Sequence, residues 1–404
     1  MNGDVALGLA AGPQSATTWP SVAWALADAH SSRAFASGVP RRRVVVVGPP
    51  RDAVGGMTSV VEHQLAWRSD TFAQHFVAMS ISPGDHERWT GRLVRHVRQS
   101  RRLAALIRFA ERPIVHIHTC SGFSFHRSAV DLAIAKHYDC PVVLHVHGAV
   151  FDRFFADATP LGKRVIRSVL SAADRVVALS HGWRDRIVEM ARSARVVVIE
   201  NAVELPVDPP DRTDREVVGP CHFVLLARMD EWKGIDDVLD ACAMLRSRGV
   251  VFRATLAGPE GTAGDAATLL RKIGDRNLAS AVRYVGCVEG DAKDRLLRDA
   301  DVYIQPSHHE GMPMSALEAM SYGLPVVATA VGAMPEVITD GAEGVLVPAR
   351  SPARFAAAME SLANEPLRRV EAAANAAQLA RRRFSRERFH ADLARLYSEL
   401  SDEM

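Results

Sequence analysis

QPSHHEGMPMSALEAMSYGLPVVATAVGAMPEVITDGAEGVLVP, from Gln305 to Pro348, is the stretch that decides the fold. Tyr303 to Pro306 closes an apolar strand, and Ser307 to Pro313 reads as a short turn pivoting on Gly311. Ser315 to Ser321 carries helix formers, Gly323 stops that helix, and Pro325 to Thr329 is an apolar run of strand type. The first turn of such a helix leaves backbone N–H groups free, and its dipole favours an anion. Gly311 has no Cβ, so the backbone there is expected to approach a ligand closely.

Two carboxylates flank the turn, Glu310 before the helix and Glu318 on it. Ionised carboxylates only accept hydrogen bonds, which suits hydroxyl-rich ligands. A diphosphate at the helix start, with one carboxylate for a ribose and one for a sugar, describes a nucleotide-sugar site. Taken singly, each glutamate is read equally well as a solvated surface residue.

The whole string separates these readings. E-G-x-P-x-x-x-x-E-A-M-x-x-G-x-P-V-V-A-T, then G-x-x-P-E-V-I and G-x-x-G-x-L-V-P, resembles the signature of retaining nucleotide-sugar glycosyltransferases of the GT-B fold, glycosyltransferase family 4. The likeness runs over roughly residues 41 to 400. Ala333 departs from it, standing where the family often has a second glycine after Gly332, a change expected to narrow the pocket slightly. The resemblance implies that Gly311, Met312, Pro313, Met314 and Ser315 line the donor site. It gives Glu318 the ribose and Glu310 the sugar hydroxyls.

Composition bounds the rest. The 404 residues suffice for two domains, and 48% apolar with 24% charged residues is the balance of a globular protein. A formal net charge of +2 points to no polyanionic partner, so no nucleic acid is expected. Five cysteines, scattered and without C-x-x-C spacing, argue for a reducing compartment and against a zinc site. No apolar run approaches a membrane span. A cytoplasmic location is therefore expected. Residues 1–40 are Ala/Ser-rich without a basic cluster ahead of an apolar core, and are expected to be a poorly ordered extension.

Arg41 to Arg43 precede the apolar strand Val44 to Val47, the glycine turn GPPRDAVGG, and a helix from Met57. This opens a Rossmann-like unit, though not with the G-x-G-x-x-G of a dinucleotide site. The resemblance places Gly55 and Gly56 under the sugar-phosphate and the acceptor. A plain tight turn is the alternative. Asp85 to Ala110 interleaves seven arginines with an apolar stripe at helical period. It can dock on an anionic membrane surface or be an ordinary amphipathic helix with a solvated basic face.

PIVHIHT (Pro113 to Thr119) and CPVVLHVH (Cys140 to His147) are strands, so His116 with His118, and His145 with His147, each share one sheet face. No acidic ligand accompanies them, and strand histidines are usually satisfied core residues. His147 differs because it ends its strand, where open α/β sheets bind ligands. The resemblance puts it against the donor sugar, and HGAVFDRFF is close to the version found in exopolysaccharide and O-antigen assembly enzymes. After the strand at Arg195 to Ile199, Glu200 and Ala202 depart from the family's P-N-G. Leu205 to Glu216 is a Pro-rich, charged linker.

The second half restarts at His222 to Leu226. Arg228 and Lys233 then lie five residues apart around a turn beside Gly234. Two fixed cations are what a diphosphate leaving group needs as charge develops on it. In the resembling family they do that work, so no cofactor and no metal is expected. The turn at Gly286 would hold the nucleobase through backbone groups. Ser351 to Arg383 reads as Ala/Arg-rich helix, and Phe384 to Leu400 as a terminal amphipathic helix crossing back to the first domain.

The expected architecture is α/β, two facing Rossmann-like domains of the GT-B type. Residues 41–204 form the acceptor domain, 205–216 the linker, 217–383 the donor domain and 384–404 the returning helix. The expected activity is hexosyl transfer, with retained configuration, from a UDP- or GDP-sugar to a saccharide or lipid-linked acceptor of cell-surface polysaccharide or glycolipid synthesis. Its residues would be His147, Arg228, Lys233 and Glu310, with Gly56, Gly286, Gly311 to Ser315 and Glu318 binding the donor. A nucleotide-sugar epimerase on the same fold, or a non-catalytic nucleotide-sugar binder, are the alternatives. Free nucleotide without any acceptor would mark the first, and loss of the charged residues the second.

Overall fold

The computed structural model describes residues 41–79, 89–108, 112–210, 212 and 219–404. The expected extension 1–40, the ends of the basic stretch (85–88 and 109–110) and most of the linker beyond Pro210 lie outside the described residues. Residues 42–404 form one compact unit.

The first half holds β1 (Arg42–Gly48), α1 (Gly56–Leu65), β2 (Phe72–Ala78), α2 (Trp89–Arg108), β3 (Ile114–Thr119), α3 (Phe123–His137), β4 (Val142–Val146), α4 (Phe151–Ala156), α5 (Pro160–Ala172), β5 (Arg175–Ala178), α6 (His181–Met190) and β6 (Val196–Val198). Its six strands pair in the order β2-β1-β3-β4-β5-β6, all parallel. The second half holds β7 (Cys221–Leu226), a 3₁₀ turn at Glu231–Lys233, α7 (Ile235–Ser247), β8 (Phe252–Ala257), α8 (Asp265–Asp275), β9 (Val282–Tyr284), α9 (Gly290–Asp299), β10 (Val302–Gln305), α10 (Met314–Ser321), β11 (Val326–Thr329), α11 (Met334–Val337) and β12 (Gly344–Val347). These strands pair as β12-β11-β10-β7-β8-β9, again all parallel. α12 (Pro352–Asn364), α13 (Pro366–Arg383) and α14 (Arg386–Asp402) end the chain.

The central strands are buried and largely apolar because helices cover both faces of a parallel sheet, with His116, His118 and His145 the buried polar residues on β3 and β4 that point away from water. Val44 to Val47 and Val142 to Leu144 are almost wholly shielded from water. One apolar core runs from β1 and β3 through Met312, Met314, Leu317 and Met334 of the second half to Phe384, Phe389 and Tyr397. A smaller core fills the far face of the second sheet. α14 returns to the first half, where the Tyr397 ring meets Phe72 edge-on at 5.5 Å.

The single helix expected over Ser351 to Arg383 is two, broken before Pro366, whose missing N–H is harmless only in a helix's first turn. β2, which no sequence argument placed, is an edge strand with half-exposed Gln74 and an exposed His75. Arg212, within the linker, is pinned rather than loose. Its guanidinium donates to the carbonyls of Leu297 (2.9 Å) and Ala300 (2.6 Å) at the end of α9, and to Tyr322 (2.8 Å) after α10. A cation at two helix C-termini is favourably placed.

Candidate functional site

Lys233 reaches Glu310 because its turn is built for it. Asp230 caps the 3₁₀ turn by accepting from the Lys233 N–H at 3.2 Å, and its other oxygen takes the Nε–H of Arg228 at 2.5 Å. Gly234 then takes a positive φ of 67°, and a Cβ there would lie 2.0 Å from the Pro306 carbonyl oxygen. Only glycine permits that approach. The result lays Lys233 against the 306–313 turn, where its Nζ donates to Glu310 Oε1 at 2.6 Å. Glu310 is buried and also accepts from Gln305 Nε2 at 2.7 Å. The Gln305 oxygen in turn accepts from the Tyr303 hydroxyl at 2.8 Å. Burial pushes the Tyr303 phenol up, so it stays protonated and can serve as that donor.

The helix starts supply the complementary groups. α10 begins after Pro313 and α1 after Gly55, and neither position carries a side chain that caps the first N–H groups. The two starts meet: a Cβ on Gly56 would sit 3.4 Å from the Met314 side chain. Ser315 Oγ is held by the Tyr303 hydroxyl at 2.7 Å, while Met312 and Met314 are buried. Glu318, on α10, pairs with Lys293 of α9 at 3.0 Å. Arg228 is largely exposed and borders a cavity of about 650 Å³ that Trp232, Asp265 and Lys272 also line. Gly286 has a positive φ of 73°, and its carbonyl accepts from Gly258 N–H at 2.7 Å. It lies after the edge strand β9, two strands from β7.

Gly311 faces the first half of the chain. The space its absent Cβ leaves is filled by the first half of the chain: a Cβ would lie 3.0 Å from the His147 carbonyl oxygen and 3.3 Å from Leu179. That glycine permits close approach of the two halves. Carbonyls of the turn are then gripped by side chains from the first half. Trp183 Nε1 donates to Gly311 at 3.3 Å and Asn201 Nδ2 to Met312 at 2.9 Å. Glu336, on α11, accepts from the N–H groups of His181 (2.8 Å) and Gly182 (2.7 Å) at the start of α6. Burial works to raise its carboxyl, but those N–H bonds outweigh it and hold the group below the usual range. Ala333 is buried, and its N–H bonds the Gly311 carbonyl at 2.8 Å. Glu200, the departure in the hinge, is buried and ion-paired with Arg383 and Arg388.

His147 sits half-buried at the end of β4, and His116, His118 and His145 stack behind it. Burial depresses all four. His116 and His147 are each lowered to about 3, and His118 and His145 lie well below the ordinary value. They are therefore neutral imidazoles at pH 7. One nitrogen from each of His116, His118 and His145 lies within 4.8 Å of the others. Those of His116 and His118 are already spent on hydrogen bonds to Tyr397, His145, Gln64 and His147. A metal ion would have to break these bonds.

Sequence reasoning missed Gln305, Tyr303, Asp230, Lys293, Asn201, Glu336, Gln64 and Tyr397. Gln305, a polar residue ending an apolar strand, and Asp230 and Tyr303, which bond partners two or three residues away, left local signals. The others act on partners distant in sequence.

Known proteins resemble the chain in family and in fold. Residues 215–382 match the family described as Glycosyl transferases group 1, and residues 60–206 match Glycosyltransferase Family 4. A glycogen synthase of Mycobacterium tuberculosis is 29% identical over 260 residues, 63% of this chain and 61% of that protein. A D-inositol 3-phosphate glycosyltransferase of Acidothermus cellulolyticus is 31% identical over 52% of this chain and 51% of its own length. The chain thus spans between half and two thirds of the length of these relatives. Among solved structures, sucrose-phosphate synthase from Thermosynechococcus elongatus aligns over 90% of this chain and 100% of its own, with a TM-score of 0.71 and 17% identity. Anabaena HepE in complex with UDP aligns over 88% of this chain and 100% of its own, with a TM-score of 0.69 and 17% identity. These two likenesses fix the fold as GT-B.

Proposed function

The chain belongs to the group 1, family 4 glycosyltransferases, and from that premise we propose that it moves a hexosyl group from a UDP- or GDP-sugar to a saccharide or lipid-linked acceptor, with retained configuration. The observation that carries this reading is Lys233 held on Glu310 beside two uncapped helix starts, those of α1 and α10. Cation and free N–H groups together suit a diphosphate. HepE, of the same fold, has been crystallised with UDP and with UDP-glucose, which favours a uridine donor here.

In this reading Lys233 and Arg228 take the negative charge that develops on the β-phosphate as the bond to the anomeric carbon breaks. The acceptor oxygen bonds that carbon from the same face, and its proton passes to a leaving phosphate oxygen. Glu310 holds sugar hydroxyls and Glu318 the ribose. Neutral His147 accepts a hydrogen bond but carries no charge. With the side-chain cations in this role, the reaction needs no metal. Lys233→Ala should lower turnover at least about a hundredfold in an assay of labelled sugar transfer, since a donor to developing charge is lost. Near-wild-type turnover would sink the assignment.

We place the protein on the cytoplasmic face of a membrane, working on cell-surface polysaccharide or glycolipid. What supports this is α2, where Leu103 and Ile107 are buried while Val94, Val97, Arg98, Arg101 and Arg102 are exposed together. No helix among the described residues is long and apolar enough to cross a membrane. Sedimentation with anionic vesicles should retain the protein, and Arg98→Glu with Arg101→Glu should release it, at about 1 kcal/mol per basic residue. Equal sedimentation of both forms would remove the membrane from the account.

A further inference from the structure

Behind His147 lies a chain of hydrogen bonds that the transfer reaction does not itself use. Gln64, wholly buried on α1, is its branch point. Its Oε1 meets His118 Nε2 at 2.7 Å, and its Nε2 meets the Tyr397 hydroxyl at 2.8 Å and His116 Nδ1 at 3.4 Å. An amide oxygen can only accept, so His118 carries its proton on Nε2. A neutral imidazole has one proton, which leaves His118 Nδ1 bare. That nitrogen lies 2.9 Å from His147 Nε2 and must accept from it. His147 therefore holds its proton on Nε2, and its Nδ1 is a bare acceptor with no partner among the described residues.

The other arm is consistent with this. Tyr397 accepts from Gln64 and gives its one proton to His116 Nδ1 at 2.6 Å. His116 Nε2–H then donates to His145 Nδ1 at 3.2 Å, and the arm ends at His145 Nε2, buried without a partner among the described residues. Exchanging the amide nitrogen and oxygen of Gln64 would reverse every bond and move the His147 proton to Nδ1. The orientation in the structure sets the amide nitrogen 2.8 Å from the Tyr397 oxygen and the amide oxygen 2.7 Å from His118 Nε2, while the single lone pair of His116 Nδ1 is taken by the Tyr397 proton.

We propose that the Gln64 amide, held by Tyr397 of the returning C-terminal helix, sets the tautomer of His147 from outside the cleft. His147 then accepts a hydrogen bond from a hydroxyl but cannot donate one. Gln64, His118 and Tyr397 are positioning residues. The value of this device rests on His147 belonging to the transfer site, whereas its existence does not.

The test is nuclear magnetic resonance on the full chain labelled with ¹⁵N-histidine, reading long-range ¹H–¹⁵N correlations. His147→Gln identifies the His147 signals by their loss. Wild type should show a protonated Nε2 and a bare Nδ1 at His147. Gln64→Met frees His118, and His147 should then show shifts averaged over both tautomers. Tyr397→Phe unties the amide and should do the same, and it decides alone if Gln64→Met does not fold. A proton on Nδ1 in wild type, or an unchanged His147 in the folded variants, overturns the proposal. The readout needs no donor. Failure of every nucleotide sugar to bind the same sample would count against the transfer reading and leave the tautomer result standing.

Discussion

The two halves share one scaffold, a six-stranded parallel sheet with helices on both faces, yet put different chemistry beneath the cleft. Under the first half lie stacked, neutral imidazoles joined through Gln64 and Tyr397. Under the second lie charges in opposed pairs, Lys233 on Glu310 and Lys293 on Glu318. A low-dielectric interior tolerates polar groups if they are hydrogen-bonded, and charges if they are also paired. The first half presents directional, uncharged contacts fit for hydroxyl groups. The second presents charge that a diphosphate can recruit. The fold permits both arrangements and dictates neither.

Acid should expose this contrast most strongly. Each histidine behind the cleft is depressed in the folded state, His116 from 6.5 to about 3 by burial first and His147 second. The unfolded chain thus binds protons below about pH 6.5 that the folded chain refuses. The stability these groups contribute is present above that pH and lost as it falls. Asp131, raised to about 6 by burial, acts in the opposite sense, and its contribution is lost as pH rises through about 6. Several histidines against one aspartate leave a net loss of a few kcal/mol between pH 7 and 4.5, measurable by urea unfolding at each pH. Equal unfolding midpoints at both pH values would mean the imidazoles are not buried and neutral.

The seam between the halves gives a smaller effect. Glu336→Ala removes the carboxylate that serves two N–H groups at the start of α6, and should cost about 1 kcal/mol in the same experiment. No change would show that water replaces it fully. Smaller still, Glu318→Gln keeps the shape of the side chain proposed to hold the ribose but drops its charge and its pair with Lys293. Donor affinity should weaken by about 1 kcal/mol, close to a factor of five, by titration calorimetry. A variant that binds as tightly as wild type would take Glu318 out of the donor site.

Much of the second half was legible because its information is local. Strand, turn, helix and stop around Gln305 to Gly323 follow one another within nineteen residues. Arg228, Lys233 and Gly234 share a single turn. What could not be read are contacts closed by the fold: Lys233 meets Glu310 across 77 residues, and Tyr397 meets His116 across 281. The strand histidines were visible as two alternating pairs, but nothing in their spacing announces Gln64 between them. The packing of Gly311 against His147 was unreadable for the same reason, since His147 lies far back in the chain. Edge strand β2 escaped because its half-exposed polar residues blur the apolar signal.

The central claim is that the charged cluster of the second half receives a nucleotide diphosphate. Thermal unfolding of wild type and Lys233→Ala, each with a panel of UDP- and GDP-sugars, tests it most directly. At a hundred times its dissociation constant, a ligand stabilises the folded state by about 2.7 kcal/mol. The account predicts a clear upward shift of wild type with one nucleotide sugar and its near disappearance in the variant. No shift with any donor, or an equal shift in both proteins, would contradict it.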